Sequence, residues 1–148
     1  MSKHESSKIQ VLLTDGDIPF RQTLAELLAL DAQLQVAAGA VSGPEILELA
    51  HQYRTDVLII SLPLPGVPVL SVISALRADL PTCATVVLAA DMGASLKDYL
   101  SAGARAVAHK GTSGHEITKI VHTVHAGGRY VDQEYLNDAI SCNYSSMS

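Results

Sequence analysis

A chain of 148 residues with a 48% hydrophobic share is long enough for one domain with a sizeable buried core. A net charge of −5 works against nucleic-acid binding, which rests on neutralising phosphates with Lys and Arg, so this chain is not expected to read DNA itself. With 4% aromatics and no Trp, the core must be aliphatic.

The polar start MSKHESSK has no apolar stretch of the kind that directs secretion, and residues 1–8 read as a disordered tail of a cytoplasmic protein. Ile9–Leu13 (IQVLL) suits a buried strand. After TDGD, Pro19 opens a helix where its missing N–H costs nothing, with Phe20, Leu24, Leu27 and Leu28 as an apolar stripe. Leu34–Ala40 is a second strand, and Ser42 with Glu45 forms an S-x-x-E capping box for a helix carrying Ile46, Leu47, Leu49 and Ala50. Asp56–Ile60 is a third strand, continuously apolar from Val57 as if covered on both faces. From Val57 to Leu76 there is no charge, long enough for a membrane span, but Pro63, Pro65, Gly66 and Pro68 break any such helix. Val69–Leu80 reads as a helix with Val72, Ile73 and Leu76 inward. Ala84–Ala90 is a fourth strand, a helix follows around Ala94–Ser101, and Ala104–His109 is a fifth strand. Ser113 caps a last helix with Ile117, Ile120, Val121 and Val124 on one face, ended by Gly127-Gly128. Residues 132–148 read as a short helix and a linker.

Five strands alternating with helices predict an α/β fold with a parallel sheet, whose sites gather at the carboxyl ends of the strands near the switch in strand order. That rule selects Thr14–Asp17, Ser61, Ala89–Ala90 and Lys110. Several chemistries can be weighed there. The loop TDGDIPF lacks the glycine spacing of a nucleotide cradle. Ser61, between Ile60 and Leu62, lacks the G-x-S-x-G elbow of a nucleophile. Asp15 and Asp17 are a poor magnesium set without a third acidic strand end, and a turn explains them as well. His122 and His125 have HxxH spacing but no further zinc ligands nearby, so they and His115 read as surface histidines. Cys83 and Cys142 lack CxxC spacing and read as reduced thiols. No metal and no cofactor is expected.

The succession VLLTDGDIPFR, DVLIISLPLPG, AGARAVAHKG and VHAGGRY resembles the receiver domain of bacterial response regulators, most closely the NarL/FixJ class whose second domain is a LuxR-type helix-turn-helix. The resemblance covers about residues 9–131 and implies a flavodoxin-like, doubly wound sheet of five strands in the order 2-1-3-4-5, helices on both faces. In that family an aspartate ending the third strand accepts a phosphoryl group from a histidine kinase. Two acidic residues after the first strand help bind Mg²⁺. A Thr or Ser ending the fourth strand, an aromatic on the fifth and a Lys at its end relay the change. Laid on this chain, the acceptor position is Ser61, the acidic pair is Asp15 and Gly16, the Thr/Ser position is Ala89 and the aromatic position is Val107. Lys110 and Asp15 remain, and Asp17 stands one place beyond the lost acid.

A serine hydroxyl is neutral and far less acidic than a carboxylate, and its phosphoester is stable, so the resemblance implies a pseudo-receiver rather than an enzyme or phosphoacceptor. Lys110 is expected to pair with Asp15, and with Asp17 if it reaches, because a cation at a buried strand end needs a partner. The expected role is a phosphorylation-independent protein-interaction module, homodimerisation being among what the resemblance implies, that reaches DNA only through a domain absent from this chain. Two alternatives stand beside it: a small-molecule sensor using the degenerate pocket, and residual phosphoacceptor activity at Ser61, Asp15 or Asp17.

Overall fold

The aliphatic runs all become strands of one sheet. The computed structural model describes residues 8–39, 42–90, 96–133 and 135. In chain order the elements are β1 (Ile9–Thr14), α1 (Ile18–Ala29), β2 (Leu34–Ala38), α2 (Gly43–Gln52), β3 (Val57–Ser61), α3 (Val69–Asp79), β4 (Ala84–Ala89), α4 (Leu96–Ala102), β5 (Ala106–His109), α5 (Gly114–His125) and β6 (Tyr130–Val131). Every pairing is parallel, in the order β2-β1-β3-β4-β5-β6. The expected helix start near Ala94, the end of the β2 run at Ala40, Cys142, residues 1–7 of the expected tail, and residues 134 and 136–148 of the short helix and linker expected over 132–148 lie outside the described residues.

Side chains alternate between sheet faces, and both faces are covered, which is why β3 and β4 are buried along their whole length. Val11, Leu13, Ile59, Val86, Leu88, Ala106 and Ala108 share one core with Leu24 and Leu28 of α1 and the expected α5 stripe Ile117, Ile120, Val121 and Val124. Leu12, Leu58, Ile60, Val87, Ala89 and Val107 share the other with residues of α2, α3 and α4, including Ile46, Ile73, Leu76 and Leu96. Each fully buried Leu or Ile contributes about 1.5–3 kcal/mol. Cys83 lies in the second core. Burial first, and then the charge of Asp56, pushes its thiol up to about 12, so it stays protonated and inert at neutral pH.

Capping follows the sequence closely. Asp17 accepts from Phe20 N at 3.2 Å at the start of α1, with Pro19 in the first turn. Ser42 Oγ accepts from Glu45 N at 3.3 Å, the N-cap half of the expected capping box, while Glu45 Oε1 accepts from the Ser42 hydroxyl at 2.9 Å rather than from its backbone N–H. Ser113 Oγ accepts from Glu116 N at 3.2 Å on α5. Leu27 departs from the expected stripe and is exposed. It lies off the Leu24–Leu28 line and rests against the start of α5, where a Cβ on Gly114 would come within 2.9 Å of Leu27 Cβ.

The expectation of five strands needs correction. Gly127, at φ +97°, ends α5 and turns the chain back, and Tyr130–Val131 pairs with Ala106–Val107 as a sixth strand. Two residues are too short to show a strand period in sequence. The pairing exists because β5 would otherwise present unpaired backbone groups. Tyr130 N donates to Arg105 O (3.1 Å), Asp132 N to Val107 O (3.0 Å), and His109 N to Asp132 Oδ2 (2.5 Å). Past residue 131, the last of the domain read from sequence, Tyr135 is buried.

His122 Nε2 of α5 lies 2.7 Å from Asp31 Oδ2, just past α1. That hydrogen bond, helped by Gln33 N–H and opposed by burial, holds the Asp31 carboxyl below its ordinary value. A depressed carboxylate contributes stability that is present above its unfolded pKa and lost as pH falls through its folded one. Asp31→Asn should therefore cost no more than about 1 kcal/mol at neutral pH. In thermal melts against pH, the gap from wild type should close below about pH 4. An unchanged gap at pH 3 would count against the pair.

No described helix is long and apolar enough to cross a membrane. The uncharged run from Val57 is instead β3, a proline-rich loop and α3.

Candidate functional site

The strand order reverses between β1 and β3, so the carboxyl ends of these two strands open the crevice where such sheets carry their sites. Asp15 follows β1 directly and is fully buried. Its Oδ1 accepts from Asp17 N at 2.8 Å, an Asx-type turn that fixes the carboxylate. Its carbonyl accepts from Arg21 Nη1 at 3.2 Å. Lys110 arrives from beyond β5, held by its backbone N–H to Ala89 O at 2.9 Å. Its Nζ lies 3.2 Å from Asp15 Oδ2, and it donates to Leu62 O at 2.9 Å. The contact with Asp15 is an ion pair rather than a directed hydrogen bond, since Oδ2 has no partner of hydrogen-bond geometry. The ammonium also sits 4.7 Å from the centre of the Phe20 ring, a cation–π contact that excludes water from one side.

The expected Lys110–Asp15 pair is therefore present. Asp17 does not join it: its side chain caps α1. Ser61 ends β3 at 0% exposure, and its Oγ has no hydrogen-bond partner. Ala89 and Val107 are buried in the core on the α3–α4 side of the sheet. Gly16 is exposed at the rim, where an added Cβ would meet only Pro63 O at 3.7 Å. Beside Leu62, an apolar groove of about 580 Å³ runs between the loop after β3, the start of α3 and Tyr99 of α4.

Residues 11–122 match the response regulator receiver domain family. The chain belongs to that family. The receiver is 36% identical over 124 residues to the transcriptional regulatory protein UhpA of Salmonella typhimurium, covering 83% of this chain and 62% of UhpA. The receiver domain of the putative response regulator NarL from Mycobacterium tuberculosis superposes with TM-score 0.76 at 26% identity, covering 82% of this chain and 98% of that one. A LuxR-family response regulator from Aurantimonas superposes with TM-score 0.83 over 93% of this chain and 99% of its own. At 18% identity it speaks for the fold alone. The chain spans about six-tenths of the length of curated relatives such as UhpA.

Three contributors to the receiver's site escaped the sequence reading. Phe20 read only as part of a core stripe, yet its ring also covers Lys110. Arg21 gave no signal, because a side chain reaching a carbonyl leaves no residue pattern. Leu62 contributes through its backbone oxygen, which no side-chain motif encodes.

The residues present do not suit a magnesium ion. Among the described residues, Asp15 is the carboxylate paired with Lys110 in the crevice, one oxygen engaged by Asp17 N and the other facing an ammonium. Among the described residues, no group of three or more His, Cys, Asp or Glu gathers anywhere.

Proposed function

We propose that this receiver is a pseudo-receiver, a signalling module of a transcription regulator that works without phosphoryl transfer. One observation carries the reading: the strand end that would present an acceptor carboxylate presents the enclosed hydroxyl of Ser61 instead. Lys110 is already neutralised by Asp15 and anchored on Leu62 O, so the cation that would meet an incoming phosphoryl oxygen is engaged. Asp15, at 0% exposure and paired, is no better placed as an acceptor. Asp17 is engaged as a helix cap. Ala89 has no hydroxyl to offer a phosphoryl group.

With no reaction to perform, the receiver acts through contacts with protein partners in the cytoplasm, self-association foremost. DNA is reached through a separate domain of the kind the LuxR class carries. The similarity to a transcriptional regulatory protein supports this output. A second reading, sensing of a small apolar ligand, is favoured by the groove beside Leu62, whose carbonyl holds Lys110 and so links groove to site.

The test is calorimetry with beryllofluoride and Mg²⁺, alongside intact mass after incubation with acetyl phosphate. No binding heat and no phosphoryl adduct are expected. A magnesium-dependent, hydroxylamine-labile adduct would overturn the proposal.

A further inference from the structure

Beyond α5 the described residues stay on the domain. β6 carries it along β5, and Tyr135 then turns inward to 2% exposure, while Gln133 nearby is exposed. The Tyr135 hydroxyl donates to the carbonyl oxygen of Ala89. Its ring stacks on the His109 imidazole, centroids 6.2 Å apart and planes 22° from parallel. Ala89 and His109 are register partners at the carboxyl ends of β4 and β5. Tyr135 belongs to the same core as Ala89 and Val107, two short side chains that leave room above the sheet for a ring. The Ala89 carbonyl serves two donors, because Lys110 N reaches it at 2.9 Å as well, and a carbonyl has two lone pairs to give.

We propose that the ends of β4 and β5 form a binding site for a phenol ring, filled in cis by Tyr135, which clasps the segment after α5 to the strand ends that carry Lys110. The site joins an apolar floor, a stacking face and a backbone acceptor, the combination a buried tyrosine needs because its ring and its hydroxyl make opposite demands. A phenol that competes for the site displaces the Tyr135 ring from it. The inference goes beyond the pseudo-receiver reading and does not depend on it, since a phosphorylatable pocket could carry the same clasp.

Amide exchange followed by NMR tests it on the full chain, using the Tyr130 and Asp132 amides that bond to Arg105 O and Val107 O, with β3 amides as reference. In Tyr135→Ala these two amides should exchange at least tenfold faster, with β3 unchanged. In Tyr135→Phe, which keeps the ring and loses the hydroxyl, roughly 2–10-fold is expected. If Tyr135→Ala folds and both amides keep wild-type rates, the clasp is wrong. If it does not fold, titration of the wild type with 4-methylphenol decides. A saturable acceleration confined to these amides supports the site, and no saturable response overturns it.

Discussion

Lys110→Ala should lose about 3 kcal/mol of stability, the lower end of the range for breaking a buried ion pair. On a domain of this size that is a fall in Tm on the order of 10 °C. The cost arises from the partner left behind. Asp15 is fully buried, and without the ammonium its Oδ2 keeps a charge that neither water nor a donor offsets. The lower end applies because Lys110 keeps 17% side-chain exposure, so water can follow the missing amine part of the way. The double variant Lys110→Met, Asp15→Asn should recover most of the loss, since removing both charges is far cheaper than orphaning one. Urea unfolding of wild type, Lys110→Met, Asp15→Asn and the double variant closes the cycle. A single-variant cost below half a kilocalorie would show that the pair does nothing for the fold.

Ser61→Asp should also destabilise by about 3 kcal/mol at neutral pH, through desolvation of a new carboxylate and its repulsion by Asp15. The pH dependence runs opposite to that of Asp31. Burial raises the new carboxyl's folded pKa, so the penalty is present at neutral pH and shrinks as the pH falls and the group becomes neutral. Ser61→Ala is the control. Its hydroxyl makes no hydrogen bond, so its removal should be neutral or stabilising by up to about 1 kcal/mol. Adding Gly16→Asp to Ser61→Asp places a third carboxylate where a Cβ has room, and Mg²⁺ should then raise Tm where it leaves the parent chain unmoved. If Ser61→Asp alone matches wild type in both stability and magnesium response, the account of an enclosed, metal-free strand end fails.

Much of this architecture was legible in the sequence because its signals are local. The aliphatic runs at Ile9, Asp56 and Ala84 mark strands buried on both faces, and Ser42, Ser113 and Pro19 mark helix starts. The Lys110–Asp15 pair was legible for a different reason: the strand-end rule brings distant segments to one rim, and charge then requires a partner. Asp17 was misjudged as a second partner because capping an adjacent helix is a nearer use for its carboxylate. β6 and the burial of Tyr135 were not legible. Both depend on the chain reversing at Gly127 and meeting an edge about twenty residues upstream, and a two-residue pairing leaves no period to detect.

The sealing of β5 has a consequence for how copies of this protein can associate. With β6 paired and Asp132 occupying the His109 N–H, that flank offers an incoming strand little to bond. β2 is left as the flank open to intermolecular zippering. Association by strand addition should therefore begin there and stop at two copies, since a pair joined β2 to β2 leaves no open edge to extend.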